Sequence, residues 1–319
     1  MSYITGYWTF DPIVIVCAVA LVLHEIGLHR LAARAALERT RSRRRRSFLF
    51  YGGIALVVVA VDSPIDHWAY DYFFVHMIEH ILLMFFAPTL IVLGAPWAPI
   101  ASSAPGSLRR RVRRALALGR RTAPLRRLWT YLSAPWTALI LFNVAMVFWH
   151  LPGPFDLAQR TRNVYVWLMQ GSFLVTAVLF WLQIIPSRPF RRRAGTAWQI
   201  GAIVSTNVVM FVLAMALSIF TNESWYVVYA HVPGVTLSPF ADQQIGAAIL
   251  WICGDFWAVP SLIYVVRSAL AQEGNMSNIL EELVSRRQST TRPSIRGPGA
   301  WRAEAAPEGA AKASKPVIN

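Results

Sequence analysis

Long apolar runs broken by short polar blocks dominate this chain. Seven stretches, at about residues 11–33, 48–64, 67–94, 133–151, 163–185, 197–220 and 242–267, are apolar enough to form bilayer-crossing helices. A helix needs about 20 such residues to cross roughly 30 Å of hydrocarbon. The few ionisable residues inside these stretches recur at helical spacing. His76 and His80 are four apart, on one face and about a turn apart, with Met77 beside them and Met84 a turn beyond His80. Polar side chains at membrane depth are costly and usually face a bundle interior, so the pattern marks a candidate site. The connections read as turns at residues 62–66 and 152–156. Residues 221–241 form a longer loop whose Trp225, Tyr226, Tyr229 and His231 suit a membrane interface.

Composition supports an all-α polytopic membrane protein. Of 319 residues, 55% are hydrophobic and 15% charged, where a soluble domain carries about a quarter charged. The net charge of +15 is segregated: seven arginines fall in residues 34–47, nine in 95–132 and four in 186–196. Only Arg160 and Arg162, of 31 basic residues, fall on the other side of the predicted membrane. The positive-inside rule puts the N-terminus outside and the C-terminus in the cytoplasm. The basic side suits anionic lipid headgroups. Leu108, Val112 and Leu116, spaced by four between arginines, predict an amphipathic helix on that surface. Nucleic-acid binding is excluded, because the charge sets topology and forms no folded basic face. The first span, preceded by no basic residue, reads as a retained helix. Residues 1–271 are expected to form the transmembrane domain and 272–319 a cytoplasmic tail, disordered beyond a short amphipathic helix at 277–284.

Depth suggests which residues could meet. His24, His80 and Asp255 each lie thirteen residues into their spans, counted from Asp11, His67 and Asp242. At about 1.5 Å per residue each is about 20 Å down its helix. If the first, third and seventh spans are neighbours, His24, Glu25, His76, His80, Cys253 and Asp255 share one cavity. Such a set suits a transition metal: imidazole binds copper, zinc or iron, and sulfur favours reduced copper. His67, His150 and His231 form a possible second cluster at the outer face. Cys17 and Cys253 both lie in spans and imply no disulfide framework. A retinal protein is excluded because both lysines, Lys312 and Lys315, are in the tail. No HExxH motif and no Gly-rich phosphate loop is present. A copper or other cation transporter and a bis-histidine haem protein stay open on the residues alone.

The run from Phe73 through His76-Met77-Ile78-Glu79-His80 to Leu93-Gly94-Ala95-Pro96 resembles the signature of the CtaG family of caa3-type cytochrome c oxidase assembly factors. Ser63-Pro64-Ile65-Asp66, Trp149-His150-Leu151-Pro152 and Asp242-Gln243-Gln244-Ile245-Gly246 with Trp251 resemble its further motifs, in the same order. Together these cover roughly residues 10–268. The resemblance implies a seven-span inner-membrane protein, without turnover chemistry, that helps build cytochrome c oxidase and supply its copper. His76, Met77 and His80 match the family's central motif; His150 and Asp242 match later ones. Ala247-Ala248-Ile249 departs from it, where a second glycine and a methionine further on are expected. The resulting expectation is copper held by His76 and His80 with Met77 or Met84. His24, Asp255 and Glu79 would stand behind or replace them, and His150 and Asp242 would shape the outer entrance. Oxidase subunits would be the partners.

Overall fold

The computed structural model describes residues 7–8, 11–33, 37–190 and 193–291, and no strand occurs among them. The chain divides into a compact unit over Met1–Arg267 and a second over Ser268–Asn319. Helix α1 spans Pro12–Ala32, α2 Leu37–Asp62 and α3 Pro64–Ala69. Helix α4 (Phe73–Ile81) passes through a π-helical turn, Leu82–Phe86, into α5 (Ala87–Gly94). Three shorter helices follow, α6 (Trp97–Ser102), α7 (Gly106–Leu118) and α8 (Ala123–Leu132). Then come α9 (Pro135–Trp149), α10 (Pro152–Arg160), a π-helical Val164–Gln170 leading into α11 (Gly171–Ile184), α12 (Thr196–Ser218) and α13 (Pro239–Thr291).

Proline opens many of these helices, where its missing N–H costs nothing: Pro12, Pro64, Pro135 and Pro152 all sit in the first turn. The Ser63 hydroxyl caps α3 by accepting from the Ile65 N–H at 3.1 Å. Helix α5 ends at Gly94, and Ala95 adopts φ 47°, a left-handed conformation usual for glycine at a helix end. That bend turns the chain back into α6.

Among the described residues, five helical segments are long and apolar enough to cross a membrane: Pro12–Ala32, Phe73–Gly94, Val164–Ile184, Thr196–Ser218 and Pro239–Gly274. The α8–α9 pair, bent by 71°, makes a sixth if taken as one span. The predicted stretch 48–64 is the apolar end of α2, whose other half carries the arginines. From residue 48 to Asp62 it rises only about 22 Å, short of a bilayer. The predicted inner loop 95–132 is three helices. In α7, Leu108 and Val112 are exposed, whereas the side chain of Leu116 lies outside the described residues. Helix α8 exposes Leu125, Leu128, Trp129 and Tyr131 among its arginines, a second amphipathic surface helix. Residues 277–284 lie within α13, and the tail from 292 on lies outside the described residues.

The outward surface is as apolar as the core. Ile15, Val16, Val19 and Val22 of α1, Val204, Val208 and Val212 of α12, and Ile252, Phe256 and Val259 of α13 are all exposed. Patches of that extent mark surfaces that meet a membrane or another protein, and the length and apolarity of these helices fit a membrane. Inside, one cluster joins α1, α2 and α5 through Cys17, Phe50, Ile54, Val57, Leu83 and Ile91. A larger one gathers Phe73, Phe142, Met146, Phe173, Met210 and Trp257 from α4, α9, α11, α12 and α13. Interhelical hydrogen bonds tie the larger cluster together: the Trp181 indole donates to the Met84 carbonyl at 3.1 Å, and the Asn143 amide to the Thr206 hydroxyl at 3.1 Å.

Candidate functional site

Helix α4 turns two faces toward two different neighbours. Phe73 and Met77 face Gly246 of α13: a Cβ there would stand 2.5 Å from the Phe73 ring and 3.1 Å from Met77 Cγ. His76 and His80 face the other way, toward α9, α10 and α11. Their ring centroids are 4.1 Å apart, and His80 lies 5.2 Å from His150. Phe155 lies against His76 at 4.8 Å and Phe173 against His80 at 4.5 Å. All three histidines are buried, none more than 1% exposed.

The ring nitrogens of these histidines have unequal partners. His150 Nδ1–H donates to the Met146 carbonyl at 2.6 Å, which fixes the tautomer and leaves Nε2 with a bare lone pair. His76 Nδ1 is 2.9 Å from the Gln159 amide nitrogen and 3.3 Å from the Tyr165 hydroxyl. His76 Nε2, both nitrogens of His80 and His150 Nε2 have no hydrogen-bond partner. Leaving a buried polar atom unpaired costs about 1–3 kcal/mol, so four in one cluster call for an occupant. By donor chemistry the three imidazoles fit a transition metal. They do not yet converge: among the described residues no group of three or more His, Cys, Asp or Glu side chains is arranged to hold a metal ion.

Glu79 stands behind the cluster. Its wholly buried carboxylate accepts from the Tyr165 hydroxyl and the Gln170 amide, so both oxygens are engaged. The outer loop closes the site from above. The Tyr229 hydroxyl donates to the Ala69 carbonyl at 2.7 Å and accepts from Gln159 at 2.9 Å, and the Tyr226 hydroxyl donates to the His150 carbonyl at 2.9 Å. Burial raises both phenols well above their ordinary value, so they stay protonated donors. Beside the site, Arg162 pairs with Asp11, lies 2.9 Å from Asp66, and donates to the Tyr70 hydroxyl at 2.9 Å. Its guanidinium also lies over the Tyr165 ring at 5.8 Å. Burial pushes the Asp66 carboxyl up to about 6 against the pull of Arg162.

Other candidates go elsewhere. His24 is not brought to the pair: its ring packs on Phe50 and Tyr51, with Ser47 Oγ 3.5 Å from Nε2 and the Tyr51 hydroxyl 3.4 Å from Nδ1. Glu25 accepts from that same Tyr51 hydroxyl. Asp255 is exposed on the outer side of α13, and Cys253 is half-buried. Equal depth did not make these helices present equal faces. Asp242 is buried, but its oxygens accept from the Phe73 and Phe74 N–H groups at 2.7 and 2.9 Å. It therefore caps α4 and leaves no oxygen facing an entrance. Met77 faces α13, and Met84 lies buried in the π-turn, its backbone carbonyl accepting from the Trp181 indole. His150, expected at the outer entrance, sits inside with the pair. His67 stacks on Tyr7 at 4.3 Å and His231 is exposed, so no outer histidine cluster forms.

Sequence reasoning missed Phe155, Gln159, Tyr165, Gln170 and Tyr229. Gln170, a lone amide in an apolar run, carried a usable signal. Tyr165 opens the same apolar run with no polar residue directly beside it to single it out, and Phe155, Gln159 and Tyr229 lie in or beside segments read as turns or loops, where no periodicity indicates burial.

Fold and site together define a polytopic membrane protein with a buried imidazole cluster under an aromatic lid. The chain belongs to the cytochrome c oxidase caa3 assembly factor family, Caa3_CtaG, whose model matches residues 22–272. It is 28% identical to an uncharacterized protein of Mycobacterium bovis and to one of Mycobacterium tuberculosis, each over 85% of this chain and 40% of the relative. A third, from Mycobacterium leprae, is 28% identical over 81% of this chain and 38% of its own length. The chain thus spans about two fifths of the curated relatives it matches. No solved structure matches it significantly.

Proposed function

We propose that this protein assists assembly of a caa3-type cytochrome c oxidase in the bacterial plasma membrane by holding copper as cargo at His76, His80 and His150. The observation that carries this reading is the set of four unpartnered imidazole nitrogens in a fully buried cluster. Neutral imidazole is a good copper donor, and a small, all-nitrogen site releases its ion more readily than a closed thiolate cage. The residues' own part is to orient the rings. Met146 holds His150 with Nε2 bare. Gln159, donating to His76 Nδ1, leaves the His76 proton on Nε2. A half-turn of that amide would present its unpartnered Oε1 to Nδ1–H and free Nε2 as a ligand. Met77 is no part of this set, because its side chain packs against Gly246 of α13.

In this reading α2, packed lengthwise on α5, completes a seventh crossing with its arginines reaching the cytoplasmic surface. The N-terminus is then outside and the oxidase subunits meet the bundle within the membrane.

The test is copper content. Purified protein loaded with Cu(I) and desalted should retain copper, and His76→Ala with His80→Ala should lose it. Oxidase from cells carrying the double variant should be copper-deficient. Full copper retention and normal oxidase loading in the double variant would sink the proposal.

A further inference from the structure

A second polar site lies at the arginine-rich end of the bundle, on helices the imidazole cluster does not use. The residues Arg43, Ser47, Phe50, Ile54, Val57 and Val61 form one stripe of α2 at alternating spacings of four and three. From Ser47 onward the stripe is buried. Toward its N-terminal end it opens into a cavity of about 670 Å³ lined by His24, Ser42, Arg43, Arg46, Ser47 and Arg188, with the Gly94–Pro99 bend as its wall. No aspartate or glutamate is among the lining residues. His24, 1% exposed, forms the inner end beside the Ser47 hydroxyl. The walls approach closely at two glycines: a Cβ on Gly27 would stand 1.7 Å from the Pro99 carbonyl oxygen, and one on Gly94 would stand 2.7 Å from the Phe50 nitrogen. A second cavity of about 490 Å³ shares Ser42 and Arg46 and adds Arg41, Arg45 and Leu49.

Guanidinium groups from two separate elements thus line one open-mouthed cavity, with hydroxyl and imidazole groups beside them and no carboxylate in its lining. Guanidinium forks match phosphate oxygens in pairs, and a cavity of this size holds a small polar group. Next to the arginines, Phe48 is 65% exposed and Leu49 37%. A charged head in the cavity would therefore have apolar surface beside it for a chain.

We propose that this cavity binds a phosphate ester, and that His24, Arg43, Arg46 and Arg188 hold the phosphate. The shared chemistry is a phosphate mono- or diester, from an anionic phospholipid headgroup or from a soluble phosphate compound. Basic pockets between helices at a cytoplasmic surface commonly take headgroups.

The test is native mass spectrometry of the full-length, detergent-solubilised protein titrated with phosphatidylglycerol and, separately, phosphatidylcholine. The native chain should retain phosphatidylglycerol in preference to phosphatidylcholine. Arg43→Ala with Arg188→Ala should weaken that retention about tenfold. Arg110→Ala with Arg111→Ala, which removes equal charge from outside the cavity, should change it less than about twofold. Arg43→Lys with Arg188→Lys keeps the charge and the fold but loses the fork, and should fall between. Glycerol 3-phosphate assigns the source: displacement of the lipid indicates a soluble ester, and resistance indicates the chain-anchored headgroup. No preference between the two lipids, or an equal loss in the Arg110–Arg111 variant, would overturn the proposal.

Discussion

His24 and His80 are equally buried, each about 1% exposed, yet their rings sit in opposite surroundings. His24 lies among hydroxyls at the inner end of a basic cavity. His80 lies between two other imidazoles and an aromatic ring, with both of its nitrogens unpartnered. Burial alone therefore does not say what a membrane histidine does; the neighbours on its face do. A cation suits the second setting and an anion the first. The two regions can be set against each other experimentally.

The largest effect should come from the glycines where the helices carrying each region pack most closely. On Gly27, which walls the His24 side, a Cβ would meet a backbone carbonyl oxygen that cannot move without shifting α6. Gly27→Ala should cost more than about 4 kcal/mol and leave little monodisperse protein on size exclusion. On Gly246, which packs on the Phe73 and Met77 face of the helix that carries His76, a Cβ would meet the Phe73 ring, a side chain that can turn. Gly246→Ala should cost about 1–3 kcal/mol, read as a lower thermal midpoint in detergent. Equal losses would mean that the two walls are equally yielding.

Gln159→Leu comes next. It removes the group that sets the His76 tautomer and that links it to Tyr229. Loss of such an outer partner typically lowers metal affinity about 10–100-fold, so competition against a Cu(I) chelator should show a drop of that order. His24→Gln should leave copper affinity unchanged. A fall of the same size in the His24 variant would erase the distinction between the two regions.

These contrasts also show what the chain disclosed in advance. Apolar runs and arginine blocks made the helical membrane architecture readable, and the i, i+4 rule put His76 and His80 on one face. Counting residues from a span's start gives depth along a helix, but it does not give the direction around the helix. His24, His80 and Asp255 shared a predicted depth, and the structure sent them to a cavity wall, a buried cluster and an exposed helix face. The π-turn at Leu82–Phe86 interrupts the regular helix just beyond His80, a local change that no hydropathy pattern records. Tyr226 and Tyr229 looked interfacial by composition. They are buried because α10 folds back beneath them and offers Phe155 and Gln159 as partners, a contact between segments far apart in the chain.

Asp242 gives a smaller effect. It was read as part of an entrance, but its carboxylate takes the first two N–H groups of α4 from across the bundle. Asp242→Asn keeps one acceptor and should cost about 1 kcal/mol; Asp242→Ala strands both donors and should cost about 1–3 kcal/mol. Because α4 carries His76 and His80, the alanine variant should also lower copper retention, while the asparagine variant should retain most of it. Copper loss without a change in thermal midpoint would return Asp242 to a direct role at the metal.

The smallest expected effect is at Asp255, where a null result is the informative one. A carboxylate near the imidazole cluster would compensate the charge of a bound cation, and neutralising it would weaken copper binding severalfold. Asp255 is exposed on the outer face of α13, whereas the cluster is enclosed by α4, α9, α10 and α11. Its neighbour Gly254 packs toward Asn207 of α12, where a Cβ would stand 2.6 Å from the amide oxygen, so this part of α13 is held against α12. Turning Asp255 inward would require rotating a helix locked at that contact. Asp255→Asn should therefore leave copper stoichiometry and affinity unchanged within about twofold, while Glu79→Gln, which alters the Tyr165 bond behind His76, should not be silent. A severalfold copper defect in Asp255→Asn would mean that α13 presents a different face in the membrane, and would join the two regions into one site.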